Sequence, residues 1–292
     1  MVAAKVSRNF TKGSVREFEW RDKDFKFLAG LLHEKTGIVL NEKKREMMYG
    51  RLVRRLRVLN IKSFAEYCNY LRSSSGKEEL NFTLNAITTN TTNFFREKHH
   101  FAYLQDQILP PLRKQLEQNP QHHFRIWSAG CSSGQEPYSI AMVMRKALGK
   151  KSQNSKILAT DIDNAVLATG SLGQYDAKLC QETIPRIFLA SHSRKIKNPK
   201  ADLVEISDEI KQYISFKQLN LLHDWPMKGT FDVIFCRNVM IYFNKETQNQ
   251  LVQRFAQYLK PGGILFIGHA ESLLSVTDIF KCVGKTIYRK IS

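Results

Sequence analysis

Between about residues 18 and 87 the apolar positions recur three and four apart, the spacing that lines one side of a helix. Phe27, Leu28, Leu31 and Leu32 form one such stripe, and Thr36-Gly37 ends it with a glycine able to take a left-handed cap. Asn41 offers an N-cap to a second helix, in which Met48, Leu52, Leu56 and Leu59 share a face. Ser63 and Glu66 have capping-box spacing ahead of Tyr67, Tyr70 and Leu71. Ser73-Ser-Ser-Gly76 reads as a turn, and Leu80, Leu84 and Ile87 lie in register on a last helix. The pattern predicts a small all-α unit.

From about Phe124 the pattern changes. Short apolar runs rich in β-branched and aromatic residues (FRIWSAG, KILATDI, FDVIFCRN, GGILFIG) alternate with helical spacing. Buried parallel strands read this way, and the alternation predicts an α/β sheet. Lys260-Pro-Gly-Gly263 reads as a turn before the last of these strands. Between the two textures lies TTNTTNFFRE, Thr88 to Glu97. Thr and Asn make it a poor helix interior, and it has no apolar face before Phe94, so it is a poor core strand too. Phe94 and Phe95 read as packing that anchors this arm.

Composition narrows the class. A chain of 292 residues with 42% hydrophobic and 11% aromatic residues can bury a core, and its length favours two domains. No apolar run approaches the roughly 20 residues of a membrane span, and the N-terminus has no apolar leader segment. The five cysteines (Cys68, Cys131, Cys180, Cys236, Cys282) are odd in number and widely spaced, with no zinc spacing. Reduced thiols and a cytoplasmic location are expected, which sets aside glycosylation at Asn81 and Asn90. His99-His100 and His122-His123 read as surface pairs, and no metal is expected.

The net charge of +18 asks for an anionic partner and leaves nucleic acid, an anionic membrane surface and an acidic protein open. Seven basic residues against the single acid Glu46 lie between Lys43 and Arg57. Arg51, Arg54, Arg55 and Arg57 spread over the side of the second helix away from its apolar face. They form either a solvated surface or a docking face for an acidic helix or phosphates.

Candidate chemistry sits where strands end. WSAGCSSGQEPYSIA runs from a strand through Ala129-Gly130-Cys131-Ser132-Ser133-Gly134 into a helix. Ligands of doubly wound sheets bind outside the carboxyl ends of strands, and small residues let the backbone approach them. The dinucleotide fingerprint and the P-loop are both missing. A cofactor that brings no phosphate, such as S-adenosylmethionine, fits this turn; a plain tight βα turn also does. Asp161 ends the next strand, where a carboxylate can accept from ribose hydroxyls. Asp163 reads as a helix cap. Arg237 and Asn238 end a third strand on the same edge.

In series, TTNTTNFFRE, WSAGCSSGQEPYSIA, ATDID, NLL, FDVIFCRNVMIYF and LKPGGILFIGHAESL resemble the CheR-type chemotaxis-receptor glutamate methyltransferases, over essentially the whole chain past its first residues. The resemblance implies an all-α N-terminal domain before a class I, Rossmann-like methyltransferase domain carrying a small inserted antiparallel β-subdomain. The expected bounds are a tail over 1–17, the all-α domain over 18–88, a linker and connecting helix over 89–123, and the methyltransferase domain over 124–292. The insert is expected at about 177–217, with ISDEIKQYISFKQ supplying strands.

The resemblance also implies roles. Asn90, Thr92 and Arg96 reach over S-adenosylmethionine, with Arg96 suited to its methionine carboxylate. Glu136 meets the cofactor's amino group behind the Gly130 turn, and Asp161 takes the ribose. Asn220, Leu221, Arg237 and Asn238 line the adenine and methionine sides, and Tyr242 points toward the methyl group. Arg96 and Tyr242 are the implied catalytic pair. The implied reaction methylates glutamate carboxylates on the acidic helical region of membrane chemoreceptors and leaves S-adenosylhomocysteine. Arg51, Arg54, Arg55 and Arg57 then form the docking face of a monomeric enzyme. A nucleic-acid methyltransferase that uses the basic surface to hold phosphates is the alternative.

Overall fold

The structure is a computed structural model that describes residues 16–87, 90–196, 201–273 and 278–291. Most of the expected tail, Thr88 and Thr89 of the arm, and residues 197–200 of the expected insert lie outside the described residues. The chain divides into two compact units, residues 1–35 with 40–87 and residues 36–39 with 88–292.

The first unit is built from α1 (Asp22–Thr36), α2 (Arg45–Leu59), α3 (Phe64–Arg72) and α4 (Lys77–Ile87). Phe25, Leu28 and Leu32 of α1 share one core with Met48, Leu52 and Leu56 of α2 and Phe64 and Tyr67 of α3. Ser63 caps α3, accepting from Glu66 N at 3.2 Å, while the Glu66 carboxylate accepts from Lys62 N at 3.0 Å. Asn41 precedes only a 3-10 turn, Glu42–Lys44, and its side chain caps nothing. The run 73–76 contains another 3-10 turn, Ser74–Gly76.

Among its described residues the second unit holds ten strands: β1 (Phe124–Ala129), β2 (Ser155–Asp161), β3 (Gln174–Asp176), β4 (Ser193–Ile196), β5 (Leu203–Ile206), β6 (Ile214–Gln218), β7 (Phe231–Cys236), β8 (Leu259–Ile267), β9 (Phe280–Gly284) and β10 (Ile287–Lys290). Seven form one sheet in the order β6-β2-β1-β7-β8-β10-β9. The pairings from β6 to β8 are parallel, and β10 runs antiparallel to both β8 and β9. Alternation along the central strands fills both faces. Ile126, Val233 and Phe235 enter one core, while Trp127, Ile234 and Cys236 enter the other. The expected α/β class with mixed strands is the observed one.

The insert differs from its expected position. The small antiparallel sheet is β3-β5-β4, so it begins at Gln174 and its last strand ends at Ile206. Ile214–Gln218 instead pairs parallel with β2 at the edge of the main sheet, Ile157 opposite Ile214. An edge strand buries one side only, so Ile214 and Phe216 alternate with exposed residues as they would in a small antiparallel sheet. Lys260 to Gly263 likewise belongs to β8, where a register shift opposite Phe231 and Val233 accommodates the Pro-Gly-Gly.

Candidate active site

Strand order reverses between β1 and β7, the position at which doubly wound sheets bind ligands beyond the carboxyl ends of their strands. Gly130 leaves β1 at φ +80°, and a Cβ there would collide with the Val239 side chain, so only glycine fits. Gly130 N and Cys131 N both donate to Thr160 O, at 2.8 and 2.9 Å. The turn then presents Ser132 N to Asp161 Oδ2 at 2.8 Å, and Asp163 N donates to Asp161 Oδ1 at 3.1 Å. Each Asp161 oxygen keeps a second lone pair for another donor. Burial pushes the Asp161 carboxyl up, against the pull of those backbone N–H groups.

The arm is tied to this turn. Ser132 Oγ donates to Asn90 O at 2.9 Å, and Asn90 Nδ2 donates to Asp163 Oδ2 at 2.9 Å. Asp163 also caps the helix Asn164–Leu172, accepting from Ala165 N at 2.8 Å. Phe94 and Phe95 are buried. Phe94 meets Tyr175 edge-on at 4.9 Å, and Phe95 stacks on Phe188 at 5.2 Å.

The arm's far end closes on a buried ionic cluster. Arg237, 6% exposed, donates through Nη1 to Glu136 Oε2 at 3.0 Å and through Nη2 to the Arg96 carbonyl. The same Nη2 lies 3.4 Å from Glu97 Oε2. Ser128 Oγ holds Glu136 Oε1 at 2.7 Å. Glu97 Oε1 accepts from Asn238 Nδ2 at 3.3 Å and from His269 N at 3.2 Å. Burial raises Glu136 more than Arg237 and Ser128 lower it. At Glu97 burial also pushes upward, but Arg237, His269 N and Asn238 outweigh it and hold the carboxyl below its ordinary value. One arginine therefore serves two carboxylates.

The remaining candidates are distributed unevenly. The Arg96 side chain is exposed and donates to Thr91 O at 3.1 Å; Thr92 is half-buried. Asn220 Oδ1 accepts from Leu222 N at 2.9 Å, close to the bond from Leu219 N to Asp161 O. Leu221 is 7% exposed and packs with Trp225 and Phe255, so its side chain belongs to the core. Tyr242, half-buried, ends the 3-10 turn Met240–Tyr242.

Sequence reasoning left Glu97, Ser128, Ser132 and Glu271 without roles, although each lies inside a quoted motif. It also misplaced His100, which is fully buried with Nε2 2.9 Å from Thr286 Oγ1 and a pKa lowered to about 2 by burial and by Arg237. Glu97, His99 and His100 bring three possible metal-ligand atoms within 4.8 Å of one another. The Glu97 carboxylate of this group is already paired with Arg237, whose Nη2 lies 3.4 Å from Oε2.

The basic helix is less free than its wheel implies. Arg55 forks onto the buried Glu79 of α4, with Nε to Oε1 at 2.9 Å, and Tyr67 OH donates to the same oxygen at 2.8 Å. Arg51 Nη1 caps the end of α4, donating to Ile87 O at 2.6 Å. Arg57 pairs with Glu17 at the surface. Arg54 is exposed and forms no hydrogen bond or ion pair among the described residues. Two of the four expected docking arginines thus hold the helical unit together.

Comparison with known proteins places this architecture. Residues 90–289 match the family model described as CheR methyltransferase, SAM binding domain, and residues 23–88 match CheR methyltransferase, all-alpha domain. Chemotaxis protein methyltransferase 2 of Pseudomonas aeruginosa is 40% identical over 94% of this chain and 95% of its own. The chemotaxis protein methyltransferase of Escherichia coli K12 is 40% identical over 91% of this chain and 90% of its own. The chain belongs to the CheR methyltransferase family, with that family's all-α domain followed by its S-adenosylmethionine-binding methyltransferase domain.

Proposed function

We propose that this enzyme transfers a methyl group from S-adenosylmethionine to glutamate side chains of chemoreceptors, in the cytoplasm. The carrying observation is the pair Glu136 and Glu97 sharing the single cation Arg237 at the strand ends. With both acids ionised the cluster keeps one unbalanced negative charge, which suits a ligand bearing an ammonium group. Asp161 has acceptor capacity left for a ribose, and Arg96, exposed on the arm, suits the methionine carboxylate. The relatives' names point to chemotaxis, and the exposed Arg54 on a basic helix suits an acidic helical partner.

Bound in the crevice, S-adenosylmethionine supplies an electrophilic methyl group on a sulfonium sulfur. A solvated glutamate has pKa about 4.3 and is an anion at neutral pH, so no residue here has to remove a proton. The arm Asn90–Glu97 and the Asn238–Tyr242 loop instead orient the partners, an effect worth up to about 7–11 kcal/mol. Incubation with radiolabelled S-adenosylmethionine and receptor-enriched membranes tests the reading. Label on receptor that mild alkali releases is the expected result. Alkali-stable label, or label on RNA, would overturn it.

A further inference from the structure

Glu271 lies in the turn after β8, where its N–H donates to Gly268 O at 2.9 Å, and its side chain folds back into the protein with only 7% exposed. Its Oε2 accepts from Gly268 N and, at 3.1 Å, from Asn238 N. Its Oε1 accepts from Ile241 N at 3.2 Å. The carboxylate thus joins the end of β8 to the loop that follows β7. That loop needs holding. Asn238 sits at φ +61°, uncommon for a residue with a Cβ, and Met240–Tyr242 is a single 3-10 turn. Gly268 is close-packed on it, since a Cβ there would lie 2.6 Å from Asn238 N.

Burying a carboxylate is costly, and burial pushes this one up against the pull of its backbone donors. An ionised carboxylate is nevertheless the side chain that offers two acceptor oxygens and no donor. Three N–H groups converging from two loops demand that chemistry. Asn238 is held twice, by Glu271 through its backbone and by Glu97 through its side-chain amide. Ile241 N, the residue before Tyr242, donates to Glu271 Oε1 and to no other acceptor among the described residues.

We propose that Glu271 is a positioning residue for methyl transfer, its carboxylate fixing the Asn238–Tyr242 loop and so the Tyr242 side chain at the crevice. The proposal rests on the reading that Asn238 and Tyr242 face the cofactor and the transferred methyl group. Its two oxygens have separable duties, and this makes the test selective. Glu271→Gln can keep one oxygen on the Asn238 and Gly268 donors, but then turns an NH2 toward Ile241 N–H. The clasp survives and the Tyr242 turn is released.

The experiment measures three things on Glu271→Gln: hydrogen exchange of residues 238–243, S-adenosylhomocysteine affinity by calorimetry, and receptor methylation kinetics. Exchange at Ile241 should accelerate and kcat should fall, each about tenfold, with cofactor affinity and receptor KM within about twofold. Glu271→Ala, which removes all three acceptor bonds, should in addition lower the melting temperature. Faster exchange with unchanged kcat would overturn the positioning role while leaving the functional reading intact. Parallel loss of kcat, cofactor affinity and melting temperature in the Gln variant would make Glu271 an ordinary part of the fold and overturn it too. Failure of the wild-type enzyme to methylate receptors would overturn the functional reading, and the proposal with it.

Discussion

Each unit of this protein buries an acid against an arginine, and the two do it differently. In the helical unit Arg55 forks onto Glu79, one cation to one anion, and the pair joins α2 to α4. In the methyltransferase unit Arg237 is divided between Glu136, Glu97 and the Arg96 carbonyl, and it joins a helix, the arm and the end of β7. The first arrangement is balanced and complete. The second sets two carboxylates against one guanidinium, within the residues that match the family's S-adenosylmethionine-binding domain. A matched pair does structural work; an unmatched one can also take a cationic ligand.

Removing the shared cation should have the largest effect. Arg237→Met leaves two largely enclosed carboxylates, their side chains 13% and 12% exposed, without a counter-charge, a loss of about 3–5 kcal/mol by analogy with other broken buried pairs. Urea unfolding should report it, and calorimetry should find no S-adenosylhomocysteine binding. A stable variant that still binds the ligand would break the comparison at its centre.

The helical unit supplies the control. Arg55→Met should also cost about 3–5 kcal/mol, because Glu79 is left buried with only the Tyr67 hydroxyl beside it. Here the second substitution Glu79→Gln should recover most of the loss, and cofactor affinity should stay at the wild-type value. Charge reversal at Arg51, Arg54 and Arg55 together, harmless if these residues formed only a surface, is therefore expected to unfold the helical unit. Urea titrations of the single and double variants decide it. Failure of Glu79→Gln to rescue would mean Arg55 acts by packing over Phe82, whose ring it covers at 4.3 Å.

These inward-facing acids explain what could be read from sequence and what could not. Core strands such as β1 and β7 were legible because runs like FDVIF leave no other sensible reading. Asp161, Gly130 and Arg237 stood out because they directly follow such runs. Glu79, Glu97 and Glu271 did not, since an isolated acid reads as surface by default and only the fold reveals its partners. The same default made Arg51 and Arg55 look free and His100 look exposed. Edge strand β6 was assigned to the insert because half-burial gives one alternation whichever sheet the strand joins.

His100 carries a pH dependence of known sign. Its pKa is about 2 in the folded protein against an ordinary 6.5, so the unfolded chain binds more protons between those values. The stability it allows is fully present above 6.5 and falls as pH drops below it, by up to about 1.4 kcal/mol per pH unit. Glu97, held low, adds its own loss only below about its ordinary 4.5. Desolvation raises Asp161, Glu136 and Glu271, which work in the opposite direction, so the wild-type curve mixes signs. The difference between wild type and His100→Gln isolates the histidine. That difference should shrink steadily from pH 6.5 to 5 in urea titrations, and a constant difference would place a proton on His100 in the native state.

The smallest effect belongs to Arg54, and it sharpens the contrast between arginines that hold a fold and arginines that face outward. Arg54 is exposed and has no partner among the described residues, so Arg54→Glu should leave stability unchanged. An exposed ion pair is worth about 0.2–1 kcal/mol, and reversal exchanges attraction for repulsion. Receptor KM should therefore rise by about two- to tenfold at low salt, with kcat and cofactor affinity unchanged. Arg57→Glu should do less, because Arg57 already shares its charge with Glu17. Raising salt should bring wild type and Arg54→Glu together, since exposed charges are screened. Equal KM for the two proteins at low salt would reduce the outward face of α2 to a solvated surface and move the docking site for an acidic partner elsewhere on this basic protein.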